Sequence, residues 1–127
     1  MSATLRLNPS VAISSTLQVT EPIEIRGVPV SPDVGITINI RGLHHNPHEW
    51  QEPESFIPER FDSESKWFLT PSGKKRHPMS FGPFLGGMRI CLGKTFAEKM
   101  AKIMAVIIIS QLEMNFEDPE LEKKTLF

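Results

Sequence analysis

The sequence predicts a mainly α-helical chain that carries one small β-hairpin, on three observations. Lys94 to Leu112 is rich in Ala, Met, Lys and Glu, with apolar residues at helical spacing. Residues 21–40 contain two runs in which apolar residues alternate, the period of a half-buried strand. Residues 41–88 hold six prolines and no sustained period, so regular structure does not extend through them.

Bulk composition narrows the function classes. A chain of 127 residues suffices for one domain, and 39% hydrophobic residues allow a core. Lysine plus arginine is 14 and aspartate plus glutamate is 15. That balance gives no field for grasping nucleic acid or acidic lipid, and nucleic-acid binding is set aside. One cysteine allows no intrachain disulfide and no multi-cysteine zinc or iron–sulfur cage within the chain. The N-terminal residues show no signal or transit character. The longest apolar run, Ile103 to Ile109, is far shorter than the roughly 20 residues of a bilayer span.

Along the chain, Thr4 to Leu7 reads as the last turn of a helix stopped by Asn8-Pro9. Ile23 to Arg26 and Val34 to Ile40 read as the hairpin strands, with Gly27 to Asp33 as turn chemistry between them. Gln18 to Thr20 adds a short strand before them. In the proline-rich meander of residues 41–80, one helical turn fits near Glu54 to Phe56. Trp50, Phe56, Phe61, Trp67 and Phe68 pin this meander to something rather than leaving it a free linker. A cysteine loop follows at residues 81–93, then the long helix of residues 94–112. Ile103 to Ile109 is apolar all round, the pattern of a helix covered on several sides, and one hairpin and a loop are too little to cover it. Residues 113–127 are polar, with Pro119 ending any helix, and the charges at 120–124 read as solvated.

The chemistry concentrates in Phe81-Gly-Pro-Phe84-Leu-Gly86-Gly87-Met-Arg89-Ile-Cys91-Leu-Gly93. A glycine-rich loop leads into the single cysteine, and the cysteine leads into the long helix. The positive end of a helix favours a thiolate there. Glycines let the chain turn tightly and let a flat ligand lie against the backbone. Arg89 is placed to pair with a carboxylate. A thiolate, a flat backbone seat and an arginine for a carboxylate together describe a haem seat, and thiolate-ligated haem favours O–O cleavage.

Phe84-x-x-Gly87-x-Arg89-x-Cys91-x-Gly93 resembles the cysteine motif of the cytochrome P450 family, with every fixed position present. The upstream order is also similar to that family. Thr4-Leu-Arg6-Leu-Asn-Pro9 resembles the end of its Glu-x-x-Arg helix. His44 to Pro47, Trp50, and Pro58-Glu-Arg60-Phe61 resemble its meander. The resemblance implies the C-terminal portion of the cytochrome P450 fold over nearly the whole chain. It implies haem b (iron protoporphyrin) as cofactor, with Cys91 as iron ligand, Arg89 on a propionate, Phe84 near the sulfur, and Gly87 and Gly93 giving room at the ring. Arg60 and Arg6 would lock the architecture behind the haem. For the parent protein it implies a monooxygenase, an oxidoreductase that takes electrons from a redox partner, a reductase or ferredoxin, and oxidises a small organic substrate. For a eukaryotic parent it implies the endoplasmic-reticulum membrane.

Two departures stand out. Ala3 occupies the position of the family's glutamate, which leaves Arg6 and Arg60 without their carboxylate; breaking a buried pair costs about 3–5 kcal/mol. Either that region is not buried or the fold is compromised. The oxygen-activating helix and most of the substrate pocket are also absent, so the chain reads as a C-terminal fragment. The alternative to an oxygenase is therefore a non-catalytic fragment. Cys91 alone would read as a small buried hydrophobe, and Arg60 and Arg89 alone as surface charges. The complete motif reverses those readings. His44, His45 and His48 read as loop residues rather than a zinc site, because nothing nearby completes a ligand set.

Overall fold

The computed structural model describes residues 1–113. The polar stretch after Glu113, with Pro119, lies outside the described residues. Helix α1 spans Ser2–Leu7, where Asn8 donates its N–H to the Thr4 carbonyl at 2.8 Å. Pro9 follows and cannot continue the ladder.

The hairpin is present, but its strands pair differently from the simple reading. Strand β1 is Leu17–Gln18, β2 Ile23–Ile25, β3 Val28–Val30 and β4 Gly35–Ile36. β2 pairs antiparallel with β3, opposing Ile25 to Val28, while β4 pairs back with β1, opposing Leu17 to Ile36. The residues read as turn, 27–33, thus include a strand. The physical reason is the two-residue turn at Arg26 and Gly27. Both take positive φ, +49° and +81°, the geometry whose twist matches a tight hairpin. The chain reverses at once, so Val28–Val30 meets β2 before Val34–Ile36 can. The rest of the alternating run zips onto residues 12–18 instead. Ile38 and Ser14 exchange bonds at 2.9 Å, and Ile13 bridges Asn39.

Helix α2, Ile40–His44, falls where a strand end and loop were expected. The side chain of Asn39 caps it, accepting from the Gly42 N–H at 2.8 Å. The meander then holds short 3₁₀ turns at Pro58–Phe61, Lys66–Phe68 and Pro78–Ser80, two of them opened by proline. The turn expected at Glu54 to Phe56 is a non-helical bend, in which Ser55 N–H reaches the Glu52 carbonyl.

The core is small and unusually cationic. Trp50, Ile40 and Ala3 are its buried apolar residues, surrounded by buried Arg6, His44 and Arg60. Trp50 donates its indole N–H to the Leu43 carbonyl at 3.2 Å. The guanidinium of Arg76 lies 4.3 Å from its ring centroid and that of Arg6 at 5.3 Å. Phe61 and Phe81 meet edge to face at 4.9 Å. Phe61, Trp67 and Phe68 join this cluster through ring and guanidinium contacts, whereas Phe56 is exposed, so the expectation holds for all of the meander aromatics but that one.

Helix α3 spans Lys94–Gln111 and buries none of its residues. Phe96 is 71% exposed, Val106 67% and Ile109 72%. An apolar helix with too little to cover it is what the sequence forecast. Among the described residues no helix is long and apolar enough to cross a membrane.

Candidate functional site

The cysteine loop is closed by one backbone bond. Cys91 donates its N–H to the Phe84 carbonyl at 2.9 Å, so the residues between them form a closed bend. Leu85 sits at φ +59°, in a region non-glycine residues rarely adopt, and Gly87 at +62°. Gly87 is required by its backbone angle rather than by crowding, since an added Cβ there meets nothing within 4 Å. Residues Gly87–Arg89 make a 3₁₀ turn. Cys91 is exposed and lies two residues before Gly93, the N-cap of α3. Its carbonyl accepts from the Lys94 N–H at 3.2 Å. The thiol is therefore held at the start of a helix by main-chain bonds on both sides.

Phe84 and Cys91 border a cleft of about 570 Å³, within the usual size of ligand pockets. Its other walls are largely apolar: Leu5 of α1, Val11, Ile40, Leu85 and Ala97, with the hydroxyls of Ser10, Ser14 and Ser15. A smaller cleft of about 260 Å³ adjoins it through Ser14, Ser15 and Leu85, and Arg89 lines this second one together with Met88. The structure thus brings Phe84 and Cys91 to one cleft and Arg89 to its neighbour. Gly87 and Gly93 border neither. An added Cβ on Gly93 would lie 3.9 Å from the Cys91 sulfur, an ordinary contact. Val11, Ser14 and Leu85 were not singled out from sequence. No local pattern marks them, because nested strand pairing is what brings residues 10–15 against the cysteine loop.

The stem of the loop is tied to the core. Gly82 donates its N–H to His44 Nε2 at 3.1 Å, and the His44 ring lies 5.2 Å from that of Phe81. The bond places the imidazole proton on Nδ1. Burial lowers the His44 pKa, opposed by the Arg6 and Leu5 backbone and reinforced by the charges of His45 and Arg6. His45 instead bonds the Arg41 carbonyl and faces Glu54 at 3.7 Å, and His48 is exposed. The three histidines do not converge. Among the described residues no cluster of metal-ligating side chains forms.

Arg6 and Arg60, the residues matched to the locking pair, do come together. They are 1% and 0% exposed, so the region is buried despite Ala3. Arg6 donates to the carbonyls of His44 at 3.0 Å, Pro53 at 2.6 Å and Ser55 at 2.8 Å. Arg60 donates to the carbonyls of Gln51, Glu52 at 2.7 Å and Ser55 at 3.4 Å. Burial above all, then the charges of Arg6 and Arg76, pushes the Arg60 pKa down to about 10. Arg76 was missed from sequence. It donates to the Trp67 carbonyl at 2.9 Å and to the Arg60 carbonyl, bracing the turn that carries Arg60.

The cytochrome P450 family model matches residues 3–126. Cytochrome P450 4F5 of Rattus norvegicus is 38% identical over 121 residues, covering 94% of this chain and 22% of its own length. Taurochenodeoxycholic 6 alpha-hydroxylase of Sus scrofa is 35% identical over 113 residues, covering 87% and 20%. Among solved structures, retinoic acid-bound cyanobacterial CYP120A1 superposes with a TM-score of 0.73 at 29% identity, covering 86% of this chain and 24% of that one. The chain spans about a fifth of the length of the curated relatives it matches. With the family model matched over residues 3–126 and a relative 38% identical over 94% of this chain, the chain belongs to the cytochrome P450 family.

Proposed function

We propose that this chain forms the proximal haem seat of a monooxygenase-type oxidoreductase, with the Cys91 thiolate as the iron ligand. The observation that carries the reading is the placement of Cys91. It is exposed, fixed by a backbone bond to Phe84, two residues ahead of α3, and faces a largely apolar cleft. A soft thiolate beside an apolar wall suits iron in a flat apolar macrocycle. When bound through a thiolate, haem b supplies O₂ activation with O–O cleavage.

The chain's own residues have distinct parts in this reading. Phe84 walls the cleft that Cys91 borders. Leu85 and Gly87, both at positive φ, hold the bend that keeps the Cys91 backbone in place. Arg89, in the adjoining cleft, offers a guanidinium for a propionate. Gly93 leaves the approach to the sulfur clear. Arg6 and Arg60 hold the meander and α1 together behind the loop. In the parent protein a reductase or ferredoxin supplies electrons and a small organic molecule is the substrate. The hydroxylase activity named for the Sus scrofa relative fits that class.

A second reading, that the 127 residues alone are non-catalytic, is favoured by α3, whose apolar side chains stand exposed. Haemin titration separates the two. The first reading expects a saturable, thiolate-type Soret band in the isolated chain that Cys91→Ser abolishes. Haem uptake unchanged by that substitution contradicts ligation through Cys91.

A further inference from the structure

Among the described residues, Arg6 and Arg60 form a charge cluster with no counter-ion. All their guanidinium Nη bonds go to neutral main-chain carbonyls, and the Ser55 carbonyl accepts from both residues, which places the two groups side by side. The Nε atoms of both are buried and without a partner. Among the described residues neither has a carboxylate within ion-pair distance. The acidic groups that act on them do so from the surface. Glu54, which acts on Arg6, has a side chain 77% exposed and turned to His45, and Glu52, which acts on Arg60, is exposed. Arg76 adds a third positive charge.

Two buried cations with two unused N–H donors have a chemical complement. A neutral water satisfies a donor but leaves the charge, whereas an anion answers both. Two separate N–H groups match the two oxygens of a carboxylate. α1 packs against the Pro58–Phe61 turn that carries Arg60. Ala3, one helical turn before Arg6, is itself buried, and its side chain stops at the methyl group. We propose that the Arg6–Arg60 pair, beside Ala3, is a binding site for a small carboxylate anion of the formate or acetate class. The site shares no residue with the cleft at Cys91, so it stands or falls apart from the haem reading.

The test is thermal unfolding of the 127-residue chain, titrated with sodium formate at constant ionic strength, beside Ala3→Glu, which tethers a carboxylate to the same place. The expected result is a saturable rise in the unfolding midpoint of the parent chain. Ala3→Glu should start at a higher midpoint and show no saturable response. A non-saturating response, or the same response in both chains, overturns the site. Should Ala3→Glu not fold, the line width of isotope-labelled formate mixed with the native chain decides. Broadening reversed by excess acetate supports the site, and an unbroadened line overturns it.

Discussion

His44 joins three segments through single atoms. Its carbonyl accepts from Arg6, its Nε2 accepts from Gly82, and its ring lies against Phe81. Because its pKa is lowered in the fold, the unfolded chain takes up a proton first as pH falls. Stability is full above the ordinary histidine value of 6.5 and declines as pH drops below it towards the lowered folded value. A denaturant midpoint that falls between neutral and mildly acid pH is therefore expected, with a smaller slope in His44→Gln, whose amide oxygen still accepts from Gly82. An unchanged slope would remove His44 as the cause. Arg6→Ala should cost about 3 kcal/mol or more in urea unfolding, since it strands three carbonyls. Cys91, Arg6 and Arg60 stood out in the sequence as candidates because the motif spacing marks each. Arg76 did not, since Lys75-Arg76 is an ordinary basic pair until the meander folds it over Trp50. Leu85 did not, because its positive φ is imposed by closure of the loop and not by its own preference.

At the scale of elements, periodicity was a sound guide to faces and a poor one to partners. The alternation in residues 23–40 announces strands, but a period of two cannot say which strand meets which. Gly27 decided that by allowing the early reversal, and Gly27→Val should weaken the inner hairpin by about 1 kcal/mol through its φ of +81°. Loss of Ile23–Val30 cross-strand nuclear Overhauser contacts would register it. The five residues of α2 were invisible because its signal is a single cap, Asn39. Helix α3 was read to within one residue at its C-terminal end, since eighteen residues of consistent composition outweigh local noise. Its exposed face yields a further expectation. Lysine at Val106 and Ile109 should change stability by no more than about 0.5 kcal/mol and reduce self-association in sedimentation. A large stability loss would mean that these side chains are covered.

Among the described residues the core is small. Trp50 is the largest fully buried side chain among them, and it is flanked by the guanidinium groups of Arg6 and Arg76 and the rings of Phe61 and Phe81. Trp50→Ala should therefore cost about 3–5 kcal/mol, a large part of the stability of any small domain. The chain spans about a fifth of its relatives' length with its longest helix uncovered, and the proposed haem seat draws on the cysteine loop, the α3 terminus and the meander behind them. The cysteine loop is also what the sequence made most legible, because its chemistry is local. The cleft walls at residues 10–15 depend on long-range strand pairing and were not legible. The most direct test of Cys91 as thiolate ligand is the carbon-monoxide difference spectrum of the haem-loaded, dithionite-reduced chain. The strongly red-shifted Soret band of thiolate-ligated haem, lost in Cys91→Ser, is the predicted result. A band without that shift, or one that survives Cys91→Ser, would contradict it.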